Sequence, residues 1–297
     1  MTDFEALPAS SERHVLAEGP VWLASTETLL WVDIEQGHVL EGRLAGDTVE
    51  QIAKHEFGET VGAAARSDDG HLLVAARETM IIVDPTGVRT AGPRIVPAGS
   101  RRRTNDGAVD PAGRFLIGTL SLDDVPGGET LVRIEDDTSL TVLDDDLSLS
   151  NGLAWSPDGT LLYSIDTVPG IVWVRDYDAA TGAVGDRREH VRVTDGHPDG
   201  MCADAYGNLW IAIWGAGEVR SYSPTGAILD TVRVAAPHPS SVAFAGPDLD
   251  LLIISTASRD LSEAELELYP SAGCLFSARV GATGVPSVAW NAAFIRP

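Results

Sequence analysis

Six segments of the chain share one pattern of apolar and polar positions. In each segment a small or polar residue precedes a short apolar run, a turn follows, and a second apolar run comes after the turn. The pattern returns about every 40 to 50 residues, which is typical of repeat architectures in which each copy is one supersecondary unit. The six copies begin with EGPVWL, GAAARS, NDGAVD, NGLAWS, DGMCAD and SSVAFA.

The second apolar run of each copy has the length and composition of a β-strand. These runs are rich in branched and aromatic residues and read LLWVDI, HLLVAA, RFLIGT, TLLYSI, NLWIAI and LLIIST. The turns DDG, PAG, PDG and AYG precede four of them, and glycine supplies the positive φ that such turns need. Each copy has room for two further strands. The sequence therefore predicts an all-β fold, a six-bladed β-propeller with four antiparallel strands per blade.

The alternative to a closed ring is an open solenoid, which would need polar capping repeats at its ends, and the sequence shows none. No linker or low-complexity run divides the chain, so residues 1–297 are expected to form one domain. The C-terminal strands, around 274–278 and 285–289, are expected to complete a blade begun at the N-terminus. One short segment, Ser262 to Leu268, is the only place where a helical turn is predicted.

The charge of the chain narrows the range of partners. Its 44 acidic and 21 basic residues give a formal net charge of −23, which repels phosphate backbones and anionic lipid, so neither nucleic acid nor a membrane is expected as a partner. The N-terminus has no basic start or apolar core of a signal peptide, which predicts a cytoplasmic protein. Its two cysteines, Cys202 and Cys274, are then expected to be reduced. The sequence leaves monomer and weak homodimer open.

One residue at the start of each copy holds the same place relative to the turn. Ring closure would bring these register positions together at the axis of a propeller. Asn-Gly and Asp-Gly are also ordinary turn pairs, but the shared register of Glu18, Asn151 and Asp199 favours a single divalent metal site with oxygen ligands. The six register positions are Glu18, Gly62, Asn105, Asn151, Asp199 and Ser240.

An all-oxygen ligand set favours hard cations. Ca²⁺ is the expected ion, and Mg²⁺ or Mn²⁺ would also suit, whereas Zn²⁺ or Fe²⁺ could bind through carboxylates but usually recruit His or Cys. His197 is close to a predicted ligand in sequence and is expected at the rim or behind the ligands. Asp33 and Asp166 end apolar strands and are expected to be turn or packing acceptors.

Several longer motifs carry a family resemblance. AEGPVW, NDGAVDPAGRFLIGT, SNGLAWSPDG, DYDAATG and PDGMCADAYGNLWIA follow one another between about Glu18 and Phe276. In order and spacing they resemble the SMP-30/gluconolactonase/LRE-like family, which includes regucalcin and bacterial sugar lactonases. The resemblance implies a six-bladed propeller with one divalent cation held by Glu18, Asn151 and Asp199.

The resemblance also implies substrate-binding residues. The R-x-N-D segment of the family corresponds to Arg103 and Asn105, which would hold the substrate. Asp123 matches a position where a glutamate often contacts sugar hydroxyls, and its side chain is shorter by one methylene. From the residues alone, Arg103 could equally belong to an exposed basic patch formed by Arg101 to Arg103.

These observations predict a divalent-metal-dependent hydrolase that opens sugar lactones such as gluconolactone to the aldonic acid. A cation can act as a Lewis acid and lower the pKa of water, and the chain has no G-x-S-x-G nucleophile motif. Asp199 is the predicted proton acceptor, while Arg103 and Asn105 would orient the ring. The alternatives are a metal-dependent esterase or phosphoesterase of the same fold and a non-catalytic, calcium-binding regulatory propeller.

Overall fold

The protein is a closed ring of six β-sheets. A computed structural model describes residues 2–123, 125–135 and 137–292. The inner strands of the sheets contact one another in circular order, and the last of them packs against the first. The predicted six-bladed β-propeller, with four antiparallel strands per blade, is confirmed.

The blades are listed here from the inner to the outer strand. Blade 1 is formed by β3 (Ala17–Leu23), β4 (Thr28–Asp33), β5 (His38–Ala45) and β6 (Thr48–Glu56); blade 2 by β7 (Val61–Arg66), β8 (Leu72–Ala76), β9 (Thr79–Val83) and β10 (Arg89–Arg94); blade 3 by β11 (Arg102–Val109), β12 (Phe115–Ser121), β13 (Glu129–Ile134) and β14 (Leu140–Leu147). Blade 4 is formed by β15 (Ser150–Trp155), β16 (Leu161–Asp166), β17 (Ile171–Asp176) and β18 (Arg188–Arg192); blade 5 by β19 (His197–Ala203), β20 (Leu209–Trp214), β21 (Glu218–Tyr222) and β22 (Ile228–Arg233); blade 6 by β23 (Pro239–Ala245), β24 (Leu251–Thr256) and β25 (Phe276–Ala278).

The N-terminus closes the ring. Strand β2 (Leu7–Pro8) pairs antiparallel with β25 and becomes the outer strand of blade 6. Strand β1 (Asp3–Glu5) adds in parallel to β22 as a fifth strand of blade 5. Of the two C-terminal segments predicted as strands, 274–278 contains β25, whereas 285–289 forms no strand, so that part of the prediction was wrong.

The hydrophobic core lies between the blades. The second strands, such as β4 and β24, are buried along their whole length because both faces of each blade are covered by its neighbours. One apolar cluster, for example, joins Trp210 of blade 5 to Phe244 and Phe276 of blade 6. This packing fixes the angle between adjacent blades and therefore the positions of the inner strands.

Each of the six inner strands carries a β-bulge near its register position. The strand-pair register shifts between Glu18 and Val21 in β3, between Thr104 and Gly107 in β11, and between Pro198 and Met201 in β19; equivalent shifts occur in β7, β15 and β23. A bulge leaves residues unpaired and re-aims the local side chains. The shared register of the sequence therefore corresponds to a shared backbone irregularity.

The Asn-Gly and Asp-Gly pairs lie in these inner strands. A Cβ atom on Gly152 would lie 2.5 Å from the carbonyl oxygen of Asp199 on the next blade, and one on Gly200 would lie 2.1 Å from Ser241 Oγ. A Cβ on Gly62 would similarly lie 2.2 Å from the Asn105 carbonyl oxygen. These glycines let neighbouring blades approach closely at the level of the register positions.

The short helical turn predicted around Ser262 to Leu268 is present in the structure. Within the described part of the chain the one α-helix is α1 (Glu263–Leu268), and it starts at Ser262 with a capping box, since the Ser262 hydroxyl accepts from the Glu265 N–H and the Glu265 carboxylate accepts from the Ser262 N–H. Cys202 and Cys274 are free thiols. Among the described residues, no helix is long and apolar enough to cross a membrane.

The close blade contact at Gly152 generates a test. We expect Gly152→Ala to destabilise the protein by about 1–3 kcal/mol, because the added methyl group overpacks the contact with the Asp199 carbonyl. Gly185→Ala is the matched control, since its Cβ would be 3.4 Å from the nearest atom. Urea unfolding of both variants measures the difference, and equal stabilities would contradict the assigned role of Gly152.

Candidate functional site

Three carboxylates from three blades lie near one another around the axis, two of them buried and one half-buried. Glu18 is the second residue of β3, Asp199 is the third residue of β19, and both are nearly inaccessible, with 5% and 7% of their surface exposed. The third is Asp106, which lies inside the bulge of β11. The ring thus brings together Glu18 and Asp199, as their register predicts, and adds a carboxylate that the register does not include.

The electrostatics of the three groups show their proximity. Burial, followed by the charges of Asp199 and Asp106, raises the pKa of Glu18 well above its ordinary value. Burial and then the Asp106 charge likewise raise the pKa of Asp199 well above its ordinary value. Burial raises the pKa of Asp106 to about 6, although the Gly107 N–H donates to its carboxylate and lowers the pKa. Like charges in a dry space disfavour ionisation, and a bound cation would relieve that cost.

Asn151, the third predicted ligand, is fixed by a chain of hydrogen bonds. Its amide nitrogen donates to Thr167 Oγ1 at 2.9 Å, and the Thr167 hydroxyl donates to the Pro198 carbonyl oxygen at 2.8 Å. Its amide oxygen accepts from Asn105 Nδ2 at 2.8 Å. A carbonyl oxygen has a second lone pair, so the Asn151 oxygen can still act as a ligand.

Arg103 and Asn105 are coupled directly. One Arg103 guanidinium nitrogen donates to Asn105 Oδ1 at 2.7 Å and to the Thr104 carbonyl oxygen at 2.8 Å. Arg103 is only 3% exposed, so the structure places it inside the protein and rejects the exposed basic patch for this residue. Its neighbours Arg101 and Arg102 instead form ion pairs with Asp123 and Glu129.

The positive charge of Arg103 is balanced by acidic groups of the site. Burial lowers the pKa of Arg103 to about 10, and the charges of Glu35, Glu18 and Asp199 act in the opposite direction. Because even this pKa lies above neutral, the guanidinium stays charged among the carboxylates. It is a fixed hydrogen-bond donor at the centre of the site.

Asp33 and Asp166 hold the chain immediately before two predicted ligands. The Asp33 carboxylate accepts from the N–H groups of Val15 and Leu16, three and two residues before Glu18. The Asp166 carboxylate accepts from the N–H groups of residues 148 and 149, at the same place before Asn151. Both act as packing acceptors, as predicted, and each anchors the start of an inner strand.

Two other predicted residues lie in exposed segments. Asp123 follows β12, is exposed, and forms its ion pair with Arg101, so a substrate hydroxyl would compete with that arginine. His197, the first residue of β19, is exposed two residues from Asp199. The role of Asp123 in substrate binding stays a prediction.

The other register positions have structural contacts. Gly62 packs against the Asn105 backbone. The Ser240 hydroxyl donates to the Ala17 carbonyl oxygen at 2.5 Å, which joins blade 6 to blade 1 next to Glu18. The register therefore marks a common position in the fold, and only some blades place a ligand there.

Asp106 is the functional candidate that sequence reasoning missed. The register includes one residue per blade. In blade 3 that residue is Asn105, and Asp106, the next residue, lies outside the register. The bulge of β11 leaves both Asn105 and Asp106 unpaired between Thr104 and Gly107. The Asp106 side chain is therefore directed to the site as a second polar group of this strand. The signal available in the sequence was the aspartate of NDG, since only this copy has a carboxylate directly after its register residue.

The donor chemistry of the site fits a hard divalent cation. The predicted set offers two carboxylates and the Asn151 amide oxygen, all oxygen ligands. Among the described residues, no three side chains of the His, Cys, Asp and Glu types are arranged as a metal site on their own. Any cation here would thus depend on the amide oxygen and on water as well as on Glu18 and Asp199.

A cavity continues along the axis on the other side of the bulges. It has a volume of about 410 Å³ and is lined by the later residues of the inner strands, including Leu153, Met201 and Phe244. Asp106 and residues 285–288 of the C-terminal segment also line it. Asp106 thus lies between this largely apolar space and the Glu18 and Asp199 carboxylates.

The chain is similar to a known family, to known sequences and to known structures. Residues 16–258 match the model of the SMP-30/gluconolactonase/LRE-like region. The chain is 36% identical to the 6-deoxy-6-sulfogluconolactonase of Pseudomonas putida, covering 91% of this chain and 93% of the relative, and 36% identical to the pentonolactonase XacC of Haloferax volcanii, with the same coverages. Its structure superposes on the calcium-binding protein regucalcin of Agrobacterium tumefaciens with a TM-score of 0.91, at 26% identity over 98% of this chain and 99% of the other.

The crowding of like charges at the axis yields a second test. We expect Asp106→Asn to raise the melting temperature of the chelator-treated protein at neutral pH. The change removes the negative charge that repels Glu18 and Asp199 and keeps the acceptor for the Gly107 N–H. The same variant should bind a divalent cation more weakly. Asp145→Asn, an equal change of charge at an exposed site, is the control. Calorimetry measures both effects, and a destabilised cation-free Asp106→Asn protein would contradict the repulsion.

Proposed function

The chain belongs to the SMP-30/gluconolactonase/LRE-like family, and from this premise we propose that it is a hydrolase that opens sugar lactones to aldonic acids with one divalent cation bound. The observation that carries the proposal is the convergence of Glu18 and Asp199 with the immobilised Asn151 amide around a charged, buried Arg103. Relatives named for gluconolactone and pentonolactone hydrolysis support the substrate class. Ca²⁺ is the proposed cation, in keeping with the oxygen donors.

Different residues are proposed to bind the cation and to orient the substrate. A bound divalent cation supplies Lewis acidity toward an ester carbonyl. Glu18, Asn151 and Asp199 would hold it, and the hydrogen bonds from Asn105 and to Thr167 fix the orientation of the Asn151 amide group. Arg103, itself fixed by Asn105, donates hydrogen bonds to the lactone and orients its ring.

A carboxylate must accept the proton of the attacking water. Asp199 is the proposed acceptor, and general-base assistance of this kind is typically worth 10²–10⁴-fold in rate. Asp199 cannot easily be both a strong ligand and a free base. Asp106 is half-buried, its charge acts on Asp199, and it lies outside the proposed ligand set, so it is the second group proposed to take the proton.

A second candidate function is calcium binding without turnover. It is favoured by the high structural similarity to a protein described as calcium-binding. This alternative uses the same ligands but has no role for the buried Arg103 and Asn105 pair. A metal-dependent esterase or phosphoesterase remains a further possibility that a substrate panel separates.

The deciding experiment is a pH-indicator assay of chelator-stripped protein. Ca²⁺, Mg²⁺, Mn²⁺, Zn²⁺ or Fe²⁺ is restored one at a time, and five- and six-carbon aldonolactones are compared with phosphotriesters and simple aryl esters. We expect acid release from an aldonolactone only when a cation is restored. Because sugar lactones also open spontaneously, each rate is corrected with a protein-free blank containing the same cation. Cation binding without turnover on any substrate would establish the non-catalytic alternative.

Substitution of the ligands tests the site itself. We expect Asp199→Ala to lower the rate to less than about a tenth of that of the wild type, since both a ligand and a base are lost. Glu18→Gln should weaken the cation affinity measured by calorimetry, because one carboxylate becomes an amide. Asp145→Asn again controls for net charge. A normal rate for Asp199→Ala would remove that residue from the mechanism.

A further inference from the structure

An aromatic pair stands at the edge of the ring where the predicted ligands lie. The rings of Trp214 and His238 are stacked with their centroids 4.1 Å apart and their planes 5° from parallel. Trp214 also packs against an apolar cluster that includes Leu16 and Ala257. The tryptophan therefore holds the imidazole in a fixed plane, and His238 remains only half-buried.

Strand register places this pair beside the carboxylates. Trp214 is the last residue of β20 and pairs with His197, two residues before Asp199 on the adjacent inner strand. His238 immediately precedes β23, and two residues later the Ser240 hydroxyl donates to the Ala17 carbonyl oxygen, next to Glu18. The pair thus joins blade 5, which carries Asp199, to blade 6, which lies between blade 5 and the blade of Glu18.

The hydrogen bond of His238 defines its tautomer. Nδ1 lies 3.2 Å from the Arg259 carbonyl oxygen, and because a carbonyl can only accept, Nδ1 carries the proton. Burial lowers the pKa of His238, so the imidazole is neutral at neutral pH and Nε2 offers a lone pair. No hydrogen bond to this Nε2 occurs within the part of the chain that the structure describes.

Arg259, whose carbonyl oxygen holds His238, also acts on Arg103. The Arg259 side chain forms an ion pair with Glu35 at 2.9 Å, between blades 6 and 1. Outside the carboxylate group, the charges of Glu35 and Arg259 also act on the pKa of the buried Arg103, Glu35 raising it and Arg259 lowering it. The segment that fixes His238 is therefore also close to Arg103.

We propose that Nε2 of His238, held in place by Trp214 and the Arg259 carbonyl, accepts a hydrogen bond from a ring or side-chain hydroxyl of the sugar lactone and sets specificity for hydroxylated lactones. The inference rests on the proposed lactonase function. A fixed acceptor favours a substrate with a hydroxyl at that point over an analogue that lacks it, because the analogue leaves the acceptor unpaired. Arg103 would act on the reacting end of the ring, and His238 on the part away from it.

The test compares two lactones in the wild type and in three variants. His238→Phe keeps an aromatic ring for stacking on Trp214 and removes the acceptor, whereas His238→Gln keeps a polar side chain with an acceptor oxygen. His55→Phe, on the outer strand β6, is the matched control. Values of kcat/KM are measured for gluconolactone and for unsubstituted δ-valerolactone, with the cation found active for the wild type.

We expect His238→Phe to lower kcat/KM for gluconolactone by about 3- to 10-fold, the loss typical of one neutral hydrogen bond, with little change for δ-valerolactone. His238→Gln should retain most of the wild-type preference, and His55→Phe should leave it unchanged. An equal fall on both lactones, which is what a purely structural role predicts, would overturn the inference, as would an unchanged ratio in His238→Phe. If the wild type opened gluconolactone and the ratio did not move, only this inference would fail; if the wild type opened neither lactone, the proposed function would fail with it.

Discussion

The repulsion between carboxylates buried at one axis is the constraint on which the centre of this protein depends. Glu18, Asp106 and Asp199 come from three blades, Glu18 and Asp199 are buried, Asp106 is half-buried, and the pKa of each is raised. A fold does not retain such a group without compensation, because uncompensated buried charge is costly. Arg103 supplies one positive charge, and a divalent cation would supply the rest. The clustered carboxylates thus destabilise the cation-free fold and also provide the ligands of the proposed site.

The backbone device that assembles this group is repeated in every blade. Each inner strand has a bulge near the register position, and glycines such as Gly152 and Gly200 bring neighbouring strands into close contact there. Behind the bulges, Asp33 and Asp166 fix the chain just before Glu18 and Asn151. The scaffold is therefore regular, and the chemistry arises from which residue each copy places on it. Gly62 and Ser240 occupy the same position and serve the packing of the ring.

Much of this could be predicted from the sequence, because a periodic pattern of apolar runs determines blade number and the ring then determines which residues converge. The predicted positions of Glu18 and Asp199 needed no more than that. Asp106 could not be found in this way, since its place depends on a bulge that leaves two residues unpaired. Asn-Gly and Asp-Gly were ambiguous for a related reason: the glycines serve a contact with the adjacent blade, which local sequence does not reveal. The segment 285–289 was predicted as a strand, but it forms none, and residues 285–288 line the axial cavity instead.

The closing strand β2 has a consequence for how the molecule is made. Blade 6 is completed only when the first residues of the chain meet nearly the last ones; the Ser10 hydroxyl, for instance, accepts from the Leu275 N–H, 265 residues away along the chain. Contacts of such long sequence separation form late, because the entropy of bringing the ends together is lost before any packing rewards it. During synthesis on the ribosome, Glu18 must therefore wait for most of the polypeptide to emerge before it can face Asp199. The nascent protein is spared the crowding of acidic groups until the architecture that tolerates them is complete.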